Sequence, residues 1–266
     1  MAGVRPAVLA YYERHPISAA GILALLARRG RAEAHLAPED LWELDQDHYG
    51  GPAAVAVLAR RAGLAGPARI LAHGFRAHVT ALELSPTRCR DAARLTRAVH
   101  LERLVRVVRG DVQAMPLRAR AFTAVVSQEG LLHVPDKAAA LRECARVLVP
   151  GGRLVFTDWV ATSRLGDGAR RRLAEEMAAF RLETADGYAR RLGAAGFGAL
   201  EVDDLAAEWL AVVRRRRATH RALEAAGEAA PGAASWRAWD AVHGFFEGLL
   251  ESGALAGARF SATRLT

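Results

Sequence analysis

Between residues 79 and 160 the sequence contains the runs VTALELS (79–85), VRVVRGD (105–111), FTAVVSQE (122–129) and VPGGRLVFTD (149–158). Each run combines apolar, strand-forming residues with polar residues at its end, and amphipathic helices are predicted between them at 87–99 and 136–148. Strands that alternate with helices predict an α/β fold with a Rossmann-like, doubly wound and mostly parallel sheet. Ligands bind such sheets at the carboxyl ends of the strands, where these polar residues fall.

The flanking sequence predicts helical additions at both ends of this sheet. Helices are expected at 7–29, 53–61, 205–228 and 235–253, and strands at 199–202 and 259–264. A chain of 266 residues is long enough for one compact domain with embellishments. We divide it into a helical N-terminal lid at 1–50, a Rossmann-like core at 51–162, and C-terminal helices with the last strands at 163–266.

The composition excludes several classes of function. The net charge is +8, but 36 of the 37 basic residues are arginine and they are spread along the whole chain, so we expect no nucleic-acid partner. The arginine runs 170–172 and 214–217 lie near glutamates in helical segments and indicate solvated helix faces. No apolar run reaches the roughly 18 residues of a membrane helix, and the N-terminus lacks an apolar signal core. We therefore expect a cytoplasmic protein, with Cys89 and Cys144 as reduced thiols. The sequence predicts no oligomeric state.

Glu83 is the first candidate binding residue. A carboxylate at the tip of a parallel strand can accept hydrogen bonds from both hydroxyls of a ribose, which is why nucleotide-binding folds place an acid there. The same carboxylate could instead cap the helix that begins near Ser85 and Pro86.

Three motifs carry a resemblance to a known family. Residues 127–134 read SQEGLLHV, residues 45–51 read DQDHYGG, and residues 110–112 read GDV. On these residues the chain resembles the class I S-adenosylmethionine-dependent methyltransferases. Within them it is most similar to the methyltransferase type 11 group and the sarcosine/dimethylglycine N-methyltransferases. The resemblance implies S-adenosyl-L-methionine as cofactor and methyl transfer to a small-molecule acceptor, with an amine as one candidate.

The resemblance also implies roles for individual residues. Cofactor contacts are expected from the glycine loop and the strand ends, namely from Gly63, Gly66, Glu83, Asp111, Val112, Ser127 and Gln128. Catalytic roles are expected for His48, Tyr49, Glu129 and His133, under a lid that includes Tyr11, Tyr12 and Asp47. Either tyrosine of the lid could equally be a core residue of the first helix.

The base for an amine acceptor is left open by the sequence. Asp47, His48, Glu129 and His133 are all candidates, and their order is not predicted. Glu129 and His133 are four residues apart, so they would share a face if a helix began at once; the same spacing suits a capping and salt-bridge pair. No third ligand type converges with these residues, so no metal site is expected.

One part of the chain departs from the family pattern. The first strand and its acid are missing, and Gly63-Leu64-Ala65-Gly66-Pro67-Ala68-Arg69 follows directly on Arg60-Arg61-Ala62. Three interpretations compete: residues 53–58 replace the strand, residues 69–74 replace it, or the sheet lacks a member near its middle. An alternative function follows from this departure, a degenerate, non-catalytic homologue that binds a ligand or serves in an assembly. A cofactor-dependent reaction other than methylation is a third, weaker hypothesis.

Overall fold

The strands of the chain form two sheets in the part that the structure describes. This computed structural model describes residues 4–13, 17–42, 44, 48–63, 69, 72–73, 77–225 and 233–266. The strands are β1 (Val79–Glu83), β2 (Val105–Arg109), β3 (Phe122–Gln128), β4 (Leu148–Ala161), β5 (Phe197–Asp204) and β6 (Leu255–Arg264). β1 pairs with β2 in parallel, while the second sheet has the order β3-β4-β6-β5, with β3 parallel to β4 and β6 antiparallel to both its neighbours.

The helices cover these sheets and both ends of the chain. They are α1 (Val4–Glu13), α2 (Ala19–Arg28), α3 (Gly51–Arg61), α4 (Pro86–Ala98), α5 (Lys137–Val147), α6 (Asp167–Met177), α7 (Ala185–Ala194), α8 (Ala206–Ala225) and α9 (Ala233–Glu251). Single 3-10 turns occur at Glu33–His35, Pro38–Leu41 and Leu131–His133.

The two crossover helices begin where the sequence provides N-caps. The Ser85 hydroxyl accepts a bond from the Arg88 amide at the start of α4, with Pro86 in the first turn. The Asp136 carboxylate accepts from the Ala139 amide at the start of α5. Both helices therefore match the predicted segments, and the mixed α/β architecture with a Rossmann-like sheet is confirmed.

The interpretation of residues 53–58 as a replacement strand is wrong. This segment lies inside α3, as its alanine-rich composition favours. In the second interpretation, Arg69, Ala72 and His73 are helical, and the other members of 69–74 lie outside the described residues. Among the described strands none joins β1 to β3, so the two sheets share no hydrogen-bond ladder in the described part of the chain. The third interpretation stays a prediction.

Helix α3 packs against both sheets at this division. Leu58, 1% exposed, belongs to a cluster with Val155 and Val126 of the four-stranded sheet. Ala59 packs against Val79 of β1. Side-chain packing by one helix therefore links two sheets that share no hydrogen-bond ladder in the described chain.

Two further observations bear on the compositional predictions. Over the ranges that the structure describes, no helix combines the length and apolarity required to cross a bilayer. Cys144 is buried and Cys89 half-buried, and both are free thiols, as predicted.

Candidate active site

Carboxylates lie at the carboxyl ends of both strands of the small sheet. Glu83 ends β1, and its Oε1 accepts a bond of 2.7 Å from the Ser85 amide. Asp111 follows β2, and its Oδ1 accepts from the backbone and side-chain nitrogens of Gln113 at 2.9 and 3.0 Å. Through Oε1, Glu83 contacts the start of α4, as the helix-cap alternative predicts. Its Oε2 makes no hydrogen bond to a described residue.

Gly110 gives the chain a close approach beside Asp111. A Cβ built at this glycine would lie 2.6 Å from Pro116 and 2.7 Å from Leu82. A side chain here would displace the loop that carries Asp111. The position therefore requires glycine, because no Cβ fits between Pro116 and Leu82.

Gln128 and Glu129 end β3 in the other sheet. The Gln128 Nε2 atom is buried and has no hydrogen-bond partner among the described residues. Buried amide nitrogens are normally satisfied, so this atom marks a position where a ligand acceptor would be stabilised. Glu129 follows with φ 43°, a left-handed conformation that is uncommon for residues other than glycine and that clusters at functional sites.

The Glu129 carboxylate binds the N-terminal segment. Its Oε1 accepts a 2.6 Å bond from the Thr157 hydroxyl, and its Oε2 accepts from the Tyr49 amide at 3.3 Å. The same Oε2 lies 2.9 Å from His48 Nδ1, which must carry the proton because an ionised carboxylate only accepts. The expectation that Glu129 shares a helix face with His133 is wrong, because the left-handed turn ends the strand and the 3-10 helix Leu131–His133 begins later.

Helix α8 holds the other side of the same segment. Arg216 Nη2 donates to the His48 carbonyl at 2.9 Å, and its guanidinium lies 5.0 Å from the centre of the Tyr49 ring. Tyr49 is 7% exposed and stacks on Trp209 with ring centres 4.8 Å apart. Residues 48 and 49 are therefore fixed between the end of β3 and α8.

Helix α1 lies across the strand ends. Arg5 near its start is 4.0 Å from Asp111 Oδ2, and Tyr12 near its end packs edge-on against His133 with ring centres 5.2 Å apart. Tyr11 is 5.6 Å from His133, and the Arg88 guanidinium lies 5.0 Å from the Tyr12 ring centre. A ten-residue helix is about 15 Å long, so α1 spans the distance between the adenine-side and acceptor-side residues of the prediction.

Burial determines the protonation states of His133 and Tyr12. Desolvation lowers the pKa of His133 to about 4, against a weak bond with the Ala178 carbonyl 3.4 Å away, so the imidazole is neutral at pH 7. Desolvation, with the nearby Tyr11, raises the pKa of Tyr12, so its phenol keeps its proton.

A buried polar cluster that was not predicted from the sequence lies behind the site. Asp158 is fully buried on β4, accepts a 2.5 Å bond from Tyr188 Oη, and accepts from the Leu132 amide at 3.2 Å. Desolvation raises the pKa of Asp158 to about 7, and desolvation lowers that of the buried Lys137 to about 8. Two features of the sequence could have indicated this cluster. One is the carboxylate inside the apolar run 154–160, and the other is the chain's single lysine.

The remaining predicted site residues are placed as follows. Val112 is half-buried against the main core, and Ser127 is half-buried on β3, paired with Phe156 of β4. Gly63 has φ 67° just after α3. Asp47 and Gly66 lie outside the described residues. In the described part of the chain no three or more His, Cys, Asp or Glu side chains converge as a metal site would need.

An open cleft of about 430 Å³ borders this site. It lies between the N-terminal segment and α8, and its lining includes Trp42, His48, Arg215 and Arg216. His48 therefore lines the cleft and also contacts the end of β3 through its bond to Glu129.

The residues at the strand ends fit an adenosine derivative. Glu83 Oε2 offers an acceptor for ribose hydroxyls, Asp111 offers a carboxylate beside the close approach at Gly110, and the buried Gln128 amide offers an unsatisfied donor. Hydrogen-bond acceptors thus lie at the ends of β1 and β2, and a donor lies at the end of β3. A nucleoside with a polar tail offers groups that match both kinds of site.

Comparison with known proteins shows which proteins this chain is similar to. Residues 62–156 match a family model described as a methyltransferase domain, of the type 11 group. The chain is 33% identical over 156 residues to the glycine/sarcosine/dimethylglycine N-methyltransferase of Actinopolyspora halophila, covering 59% of this chain and 27% of the relative. It is 30% identical over 148 residues to the sarcosine/dimethylglycine N-methyltransferase of Halorhodospira halochloris, covering 56% and 53% of the two chains. The chain thus spans about a quarter to a half of the length of these relatives.

A solved structure shows the same fold over nearly the whole chain. Phosphoethanolamine N-methyltransferase 2 of Haemonchus contortus superimposes with a TM-score of 0.72 at 16% identity, covering 96% of this chain and 59% of that one. The sequence motifs, the matched domain and this fold agree with the resemblance predicted from residues 110–112 and 127–134. Residues 62–156 are thus similar to a methyltransferase domain, and the relatives and the solved structure compared with this chain are methyltransferases by name.

Proposed function

We propose that this protein transfers a methyl group from S-adenosyl-L-methionine to a small-molecule acceptor, and that the acceptor atom is an amine nitrogen. The observation that carries the proposal is the buried, unpaired Gln128 amide at the end of β3, together with the carboxylates of Glu83 and Asp111 at the ends of β1 and β2. The relatives named above methylate amines according to their names, which supports the choice of nitrogen.

Cofactor binding is assigned to the strand-end residues. Glu83 would accept from the ribose hydroxyls, Asp111 from the adenine amine, and Gln128 would donate to the methionine part. When bound, S-adenosylmethionine supplies an electrophilic methyl group on its sulfonium, so the protein has to align the acceptor and exclude water. Helix α1 covers the strand ends and supplies that exclusion.

Among the candidate bases that the structure describes, we assign the acceptor side to His133. Glu129 already binds His48, Tyr49 and Thr157, which makes it a positioning residue. His133 is neutral at pH 7, faces the Tyr11 and Tyr12 rings, and can accept an acceptor N–H so that the nitrogen lone pair is oriented. A histidine with a pKa of about 4 is a weak base, so the acceptor enters as the neutral amine.

Calorimetric titration with S-adenosylhomocysteine tests the cofactor assignment. Micromolar binding is expected for the wild-type protein, with losses of about tenfold or more in Glu83→Ala and Asp111→Ala. Glu102→Ala removes an exposed carboxylate away from the site and is the matched control. Unchanged affinity in both site variants would contradict the assignment, and no binding by a folded wild-type sample would favour the degenerate homologue.

Turnover of His133→Asn tests the acceptor assignment. We expect turnover to fall by about tenfold, as for the loss of one hydrogen bond to the acceptor, while the affinity for S-adenosylhomocysteine changes little. Equal losses of turnover and cofactor affinity would contradict the placement of His133 on the acceptor side.

A further inference from the structure

We infer that the cleft between the N-terminal segment and α8 binds an anionic group of the methyl acceptor, a carboxylate or a phosphate, and that Arg215 recognises it. This inference rests on the proposed methyl transfer and adds the substrate class. It uses the run Arg214–Arg217, which the sequence alone indicates only as a solvated face.

Three of the four arginines in this run have partners within the protein. Arg214 pairs with Glu247 and Glu251, and Arg217 pairs with Asp240 and Glu247, all on α9. Arg216 binds the His48 carbonyl.

Arg215 differs from its neighbours. Its guanidinium is exposed, lines the cleft, and makes no hydrogen bond or ion pair with any described residue. A guanidinium offers five donors in a planar fork that matches carboxylate and phosphate oxygens, so this group is available to an anion from solution.

The lining of the cleft suits a small polar molecule. A volume of about 430 Å³ is within the range of small-molecule sites. No Asp or Glu is among the described residues that line it; Glu208 approaches Gly50 nearby without lining the cleft. Pro52 and Val212 add apolar residues to the lining, and the described lining residues carry a positive net charge.

His48 connects the cleft with the reaction site. His48 is one of the residues that line the cleft, and its Nδ1 lies 2.9 Å from Glu129 Oε2 next to the end of β3. An acceptor held at Arg215 by its anionic group would therefore extend past His48 toward the strand ends, where the cofactor residues lie. The class that fits is a small amine that also carries a carboxylate or a phosphate.

Acceptor competition with a charge-matched control tests the inference. Sarcosine, phosphoethanolamine and the neutral ethanolamine are offered to the wild-type protein, to Arg215→Gln and to Arg171→Gln, whose exposed arginine lies on α6. In Arg215→Gln the ratio of kcat/KM for the preferred anionic amine over ethanolamine should fall by about tenfold or more. In Arg171→Gln this ratio should stay at the wild-type value, and the better of the two anionic amines distinguishes carboxylate from phosphate.

Direct titration separates this inference from the proposed function. Acetate and inorganic phosphate are titrated into both variants and the wild type, followed by NMR, with no need for turnover. Binding that is weakened about tenfold only in Arg215→Gln supports the subsite, even if S-adenosylhomocysteine fails to bind. Equal anion binding and equal acceptor ratios in all three proteins would overturn it, even if S-adenosylhomocysteine binds normally.

Discussion

Replacing Glu129 by alanine should release the N-terminal segment from the sheet. The carboxylate holds that segment through the Tyr49 amide at 3.3 Å and the His48 ring at 2.9 Å. The amide bond contributes about 1 kcal/mol. The His48 side chain is 38% exposed, so solvent screens its bond, which contributes about 0.5 kcal/mol. The sum of about 1.5 kcal/mol corresponds to about a tenfold larger population in which the segment is detached.

Hydrogen exchange at the Tyr49 amide measures this population directly. The amide donates to Glu129 Oε2, so it exchanges only when the segment detaches. We expect exchange about tenfold faster in Glu129→Ala than in the wild-type protein, with amides of β4 and β6 unchanged.

Glu129→Gln is the matched control for this experiment. Its amide oxygen can still accept from Tyr49 and His48 while its nitrogen donates to the Thr157 hydroxyl, so exchange should stay within about threefold of the wild type. Alanine and glutamine both keep a Cβ at φ 43°, so backbone strain is constant across the series. If Tyr49 exchanged at the wild-type rate in Glu129→Ala, the carboxylate would not be the tether, and the argument would be refuted.

Two further predictions concern the loop at β2 and the buried carboxylate. Gly110→Ala should weaken S-adenosylhomocysteine binding by about tenfold or more, because its Cβ meets Pro116 at 2.6 Å, whereas Gly168→Ala, with nothing within 4 Å, should not; calorimetry of both decides. Asp158→Asn should make the free energy of unfolding rise with pH between about 4 and 6.5. In that range the lowered pKa of His133 makes the unfolded state bind more protons than the folded state, so stability rises with pH. In the wild type the raised pKa of Asp158 makes the folded state bind more protons, so its contribution to stability falls with pH. Urea unfolding at several pH values checks this, and a flat profile in the variant would contradict it.

The sequence predicted the elements that depend on local pattern. The alternation of apolar runs and amphipathic helices located β1 to β4 and the helices α4 and α5 within a few residues. Residues 7–29 were predicted as one helix, whereas α1 and α2 are separate in the described chain. The alanine-rich segment that forms α3 is predicted as a helix by its composition, and the same composition disfavours its interpretation as a strand.

The site was less predictable because it depends on contacts between distant residues. The spacing of Glu129 and His133 suggested a common helix face, but the backbone at Glu129 turns left-handed and brings its carboxylate to His48, 81 positions earlier. No local pattern encodes that pair. Asp158 was quoted only as the end of a strand, and its bond to Tyr188 requires α7 to pack behind β4.

The division of the sheet changes what a ligand would do to this protein. Glu83 and Asp111 belong to the two-stranded sheet, whereas Gln128 and Glu129 belong to the four-stranded one. In the described chain these sheets lack a common hydrogen-bond ladder, so local opening between them should require less free energy than opening within either. A molecule bound to both would act as a brace, and at a hundred times its Kd it would add about 2.7 kcal/mol to the free energy of unfolding. The concentration of such a molecule would then set how long this chain survives proteolysis.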